Sequence, residues 1–200
     1  GTVFVRGSDA NLGGASFYNL TINKTSGQTA TMTASSTVTN AFTVAANSTL
    51  SVNSRTLNVG SAATYTNVGT ISVSSGVIMS PADSAIFSDS SGSAVSAYAE
   101  GDSVYVTVSD ANRNLLGDTA ETFNISVTQG DPATTGDAES FTLTETTVSS
   151  GIFRNTTGAV VTYSVSATHG NGALNASAAG SFASTYTDSQ DSTDATAMSK

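Results

Sequence analysis

An all-β chain in two unlike parts is predicted, on three observations. Short apolar stretches alternate with a period of two, and none follows the 3.6-residue spacing of a helix. Thr and Val abound, as pleated, half-buried strands favour. Charge changes sign along the chain. Residues 1–80 carry Arg6, Lys24 and Arg55 against Asp9, a balance of +2, while 81–200 carry Arg113, Arg154 and Lys200 against fourteen Asp and Glu, a balance of −11. Pro81 stands at the change and suits a linker, so a boundary is placed near Ser80.

Composition sets the outer limits. Two hundred residues suffice for one large or two small β domains with a real core. Only 10% are charged, against roughly 25% in an average soluble domain, and large aliphatic residues are sparse, so the cores should be thin. There is no cysteine, hence no disulfide and no thiolate metal site. No run approaches the roughly 18 apolar residues of a membrane-spanning helix. A net charge of −9 argues against nucleic-acid binding, which needs clustered Lys and Arg. No secretory leader opens the chain, so export would place residue 1 after processing.

Taken in order, the first half opens with residues 1–6, GTVFVR, a strand without a local partner, in which Thr2 and Phe4 point one way and Val3 and Val5 the other. Apolar pairs with one residue between them follow: Leu20 and Ile22, Phe42 and Val44, Leu50 and Val52, Leu57 and Val59, Ile71 and Val73. Polar Asn, Gly and Ser stretches separate them, the pattern of a small β-solenoid or β-sandwich. The second half carries candidate strands at 85–88, 95–100, 103–109, 122–129, 139–146, 160–167 and 182–187. Seven short strands with turns between them fit an immunoglobulin-like β-sandwich, without the Cys and Trp of antibody domains. From Ser189 the tail, SQDSTDATAMSK, has almost nothing apolar to bury. Order there would need a partner such as a neighbouring copy.

The phrases FYNLTINKTSGQ, TVTNAFTVAANSTLSVNSRTLNVG and TNVGTISVSSGVI resemble the repeating text of large bacterial and archaeal surface proteins with β-solenoid stalks. AYAEGDSVYVTVSDANRN, GDAESFTLTETTVSSGIFRNT and ASTYTDS resemble a domain repeated in prokaryotic cell-surface and filament proteins, departing from it at Asn112, where that text carries Asp. The resemblance implies an extracellular location and a structural role.

Candidate sites are few. Asp110, Asn112 and Asn114 alternate after the strand at 103–109, and Asp118 follows, all oxygen donors of the kind Ca²⁺ takes six to eight of. A plain turn, with Asp and Asn bonding their own backbone, is the competing reading. Glu100 and Asp102 belong to the opposite rim, where Asp137 or Glu139 could join them. Sequons at Asn19, Asn23, Asn47, Asn124, Asn155 and Asn175 are candidates for glycosylation. The sole histidine, His169, sits in a Gly-rich loop without a nucleophile motif, and no reaction is predicted. The expected role is a structural subunit of an extracellular filament or surface assembly. Its copies would join by β-strand addition, with Thr2, Val3, Phe4 and Val5 as the donated strand, the competing reading being that this strand pairs within its own solenoid. The alternatives are a stalk or ligand-binding module of a large adhesin, and an accessory domain of a carbohydrate-active enzyme.

Overall fold

The computed structural model describes residues 1–80, 84–129, 136–163, 168–176, 180–191 and 195–200, and among them there is no helix. Pro81 and the second half of the strand expected at 160–167 lie outside the described residues.

Residues 2–79 form a β-solenoid-like stack. Its strands are β1 (Thr2–Gly7), β2 (Ala10–Leu12), β3 (Ser16–Lys24), β4 (Thr29–Met32), β5 (Ser36–Val44), β6 (Thr49–Ser51), β7 (Thr56–Val59), β8 (Thr64–Asn67), β9 (Thr70–Ser72) and β10 (Val77–Met79). One parallel sheet runs β1-β3-β5-β7-β10 with β8 also on β5, and the other runs β2-β4-β6-β9. Partners lie 20 residues apart at Ala10↔Ala30, 21 at Thr49↔Thr70 and 22 at Asn19↔Ala41, so each circuit returns above the one before.

Parallel stacking in near-constant register turns the apolar pairs into columns. Val5, Ile22 and Val44 lie in one inward column, and Leu20 and Phe42 in the next. Ala30, Leu50 and Ile71 face them from the second sheet. Ile22, Val44, Phe42 and Leu50 are completely buried, and each such side chain contributes about 1.5–3 kcal/mol by leaving water. At the last circuit the columns change character: Phe42 is followed by Tyr65, and Val44 by Asn67. Lys24, the one lysine before the terminus, is also buried, its Nζ donating to the carbonyls of Arg6 and Ser8 at a corner.

The second half is mostly antiparallel. It comprises β11 (Ser84–Ser88), β12 (Ser103–Ser109), β13 (Thr122–Gln129), β14 (Ala138–Glu145), β15 (Ile152–Arg154), β16 (Ala159–Thr162), β17 (Ala173–Asn175), β18 (Phe182–Thr187) and β19 (Ala195–Ser199). The order is β17-β16-β12-β15-β14-β13-β18-β19, with β11 also on β12. Val104, Val106 and Val108 of β12 all point into a core with Phe87, Leu143, Phe153 and Leu174. Each half thus has its own apolar cluster.

Two expectations are corrected. Residues 95–100 form no strand; Val95 packs on the core, and Tyr98 donates its hydroxyl to the Ser88 carbonyl at 2.7 Å, which fixes the segment as a loop. The polar tail needs no neighbour, because β19 pairs antiparallel with β18 of its own chain over Ala183↔Ser199 to Thr187↔Ala195. Among its described residues, backbone bonds and the buried Met198 side chain hold it.

Candidate functional site at the junction loop

The loop after β12 is where the two halves meet, and three of the four proposed metal-binding side chains are buried in it. Asp110 and Asn112 are fully buried and Asn114 nearly so, whereas Asp118 is exposed and accepts a bond from the Thr119 hydroxyl. Loop and last solenoid circuit are bonded backbone to backbone. Ile71 N donates to Leu115 O at 2.7 Å, Gly117 N donates to Gly69 O, and Leu115 packs on the solenoid core. Gly117 lies so close that a Cβ there would collide with the Val68 backbone.

Side chains complete the seam. Asn67, the polar end of an aliphatic column, donates through Nδ2 to Asn114 O at 2.9 Å, and Asn114 Nδ2 donates back to Asn67 O at 3.1 Å. Asn112 Nδ2 donates to Ile78 O at 2.7 Å and to Asp188 Oδ2 at 2.8 Å, so one amide ties the solenoid to the end of β18. Asp110 accepts from Arg113 N at 2.9 Å and from the Tyr186 hydroxyl. Burial, reinforced by the neighbouring Asp188 carboxylate, pushes the Asp110 carboxyl up to about 6 despite those bonds. Arg113 lies over the Phe123 ring at 3.9 Å and reaches Ser189.

The seam also leaves polar atoms without partners: Tyr65 OH, Asn112 Oδ1 and Asn114 Oδ1 are buried with no hydrogen bond, whereas the buried carboxyls of Glu121 and Glu145 bond to each other, and burial together with that neighbour raises the Glu121 pKa. Glu121 and Glu145 escaped notice in the sequence because they lie 24 positions apart, one just before β13 and one at the end of β14; only the β13–β14 hairpin joins them. Among the described residues, no three His, Cys, Asp or Glu side chains cluster so as to hold a metal by themselves.

The opposite rim is built otherwise. Glu139 accepts from Asn171 N and Gly172 N and so holds the loop before β17, and Asp137 accepts from Ala138 N and Asn175 N and so holds the end of β17 itself. Asp102 accepts from Ala99 N, and Glu100 from Tyr163 N. His169 is exposed in a turn.

The sequons divide by burial. Asn23, Asn47 and Asn124 are exposed and Asn19 half-buried, bonded to Thr2 and Asn40. Asn155 is 2% exposed and spends both amide atoms internally, accepting from Val106 N and donating to Thr157 O. Asn175 is buried as well.

The strand expected to be donated lies in its own solenoid. Thr2, Val3, Phe4 and Val5 pair in parallel with Asn19, Leu20, Thr21 and Ile22 of β3, making β1 the terminal strand of its sheet. Val3 shares the inward register of Leu20 yet is 41% exposed, and Phe4 on the outer face is 52% exposed under the Arg6 guanidinium.

No family model matches the chain, and no curated protein matches it. No described helix is long and apolar enough to cross a membrane.

Proposed function

We propose that the chain is a structural module of an extracellular filament or surface assembly, whose copies join by β-strand addition at the free edge of β1. The observation that carries this reading is Val3: an inward-facing residue, in register with a buried column, left 41% exposed at a parallel edge. An open edge with unpaired backbone groups is a template for a further strand, whether from a second copy or from chain ahead of residue 1. The opposite end of the stack is covered by the junction loop, so the module has two unlike ends, and unlike ends favour head-to-tail growth. β1 is then the acceptor rather than the donor. The second half is the immunoglobulin-like β-sandwich of the assembly, and Asn23, Asn47 and Asn124 are its accessible glycan positions.

The bonded seam supports a second reading, a stiff stalk segment of a large adhesin. Sedimentation of the chain over a wide concentration range separates the two. Growing linear oligomers, abolished by Val3→Lys with the melting temperature nearly unchanged, are expected of the assembly module. A monomer at every concentration would leave the stalk.

A further inference from the structure

We infer that Asn171–Gly172 is a self-modifying site, at which the buried Glu139 carboxylate drives loss of the Asn171 amide as ammonia. Both residues are exposed in the turn that leads into β17. Glu139 shares the inward-facing register of β14 with Phe141 and Leu143, and it is only 5% exposed. Its two oxygens are both committed to this one dipeptide: Oε1 accepts from Asn171 N at 3.0 Å and Oε2 from Gly172 N at 3.1 Å. A carboxylate within about 2.6–3.2 Å of the atom that bears a proton is in reach to abstract it. The Asn171 side chain is fixed as well, its Oδ1 accepting from Ala173 N at 2.9 Å. That donor stands where negative charge collects when the amide carbon becomes tetrahedral. Gly172 has φ of 81° and open space where a Cβ would stand, so no side chain obstructs the ring that must close.

The step balances with water as the only co-reactant. Gly172 N bonds to Asn171 Cγ while its proton passes to Glu139 Oε2. The tetrahedral carbon then loses its nitrogen as ammonia, which takes that proton back, and a succinimide ring remains. Water opens the ring at one or other carbonyl, leaving Asp or isoaspartate at 171. A groove of about 300 Å³ lined by Glu139, Asn155, Thr157 and Gly172 admits the water. The product adds a carboxylate beside Glu139, and isoaspartate also lengthens the backbone by one carbon just ahead of β17. β17 is a terminal strand of three residues, paired with β16 and anchored where Val160 N donates to Gly172 O at 3.1 Å. Its Leu174 is completely buried, so the change loosens one edge of the second half's core. Neither the junction seam nor the β1 edge takes part, so the site is independent of assembly.

The test ages the full chain in warm neutral buffer, folded and unfolded in guanidinium chloride, and follows residue 171 by peptide mass spectrometry. A positioned base contributes about 10²–10⁴-fold, so the folded chain should convert Asn171 at least about ten-fold faster than the unfolded one. Folded Glu139→Gln, which keeps the shape without the base, should lose that advantage. The aged wild type should melt roughly 2–4 °C below the fresh protein. A folded wild type converting no faster than the unfolded chain would overturn the inference, because the same hydrogen bonds would then protect Asn171; that comparison needs no variant. Equal rates in folded wild type and folded Glu139→Gln would overturn it too, by leaving the carboxylate without a role.

Discussion

The two halves solve the same problem, burying a sparse set of apolar residues, by opposite means. The solenoid stacks each circuit on its neighbour in parallel, so Leu20 needs Phe42 and Phe42 needs Tyr65, all about one circuit apart. The second half pairs strands antiparallel and at long range, with Val127 bonded to Ser184 and Thr107 to Arg154. Stacked circuits give stability as a sum of nearest-neighbour terms and leave an open end. The antiparallel sheet offers instead a loop that covers the other end. The contrast explains why the polar chemistry of the molecule collects at their meeting point: the last circuit substitutes Tyr65 and Asn67 for apolar column residues, and the loop supplies partners for the latter.

The largest expected effect tests whether the two cores are equals. Phe42→Ala and Phe153→Ala each remove a completely buried ring, and each should lower stability by about 3–5 kcal/mol. Calorimetry should show one transition moving in both cases. Two transitions, of which only one moves, would show that the seam does not couple the halves.

Breaking the seam directly comes next. Gly117→Val forces a side chain into the Val68 backbone and should cost about 1–3 kcal/mol, splitting the melt into two steps. Gly13→Ala, where an added Cβ meets nothing, should change stability by less than about 0.5 kcal/mol.

The seam should also respond to pH in a set direction. Asp110 is raised to about 6 in the fold by burial and by Asp188, above its unfolded value near 3.9. Its protonated form is therefore favoured by folding, a contribution complete below about pH 4 and lost as pH rises through 6. Urea titrations should find this share, about 1–3 kcal/mol, declining between pH 4 and 6 and absent from Asp110→Asn. A wild type and variant with parallel pH profiles would show that Asp110 is not strained there.

The smallest effect lies in the turns of the stack. Asn47 has φ of 59°, where Asn is tolerated and Ala is not, so Asn47→Ala should cost about 1 kcal/mol, measured as a small drop in melting temperature.

What could be read in advance follows the same division. The apolar pairs at Leu20/Ile22, Phe42/Val44 and Leu57/Val59 announced strands because one stacked circuit repeats a local pattern. The choice between stack and sandwich was not legible there, since circuits of 17 to 23 residues absorb turns of unequal length. Strands at Ile152–Arg154 and Ala173–Asn175 span three residues each and carry no period to detect. Ala195–Ser199 owes its place to backbone pairing, which composition does not record. Asp110, Asn112 and Asn114 drew attention as alternating oxygen donors, but their partners Tyr186, Ile78 and Asn67 lie between 34 and 76 positions away. A sequence shows that such side chains are polar, and only the fold shows to what they are bonded.

The central claim, that the chain assembles through the open β1 edge, is tested most directly by negative-stain electron microscopy of the purified protein beside its Val3→Lys variant. Regular linear fibres from the wild type and single particles from the variant are predicted. Single particles from both, at every concentration, would contradict it.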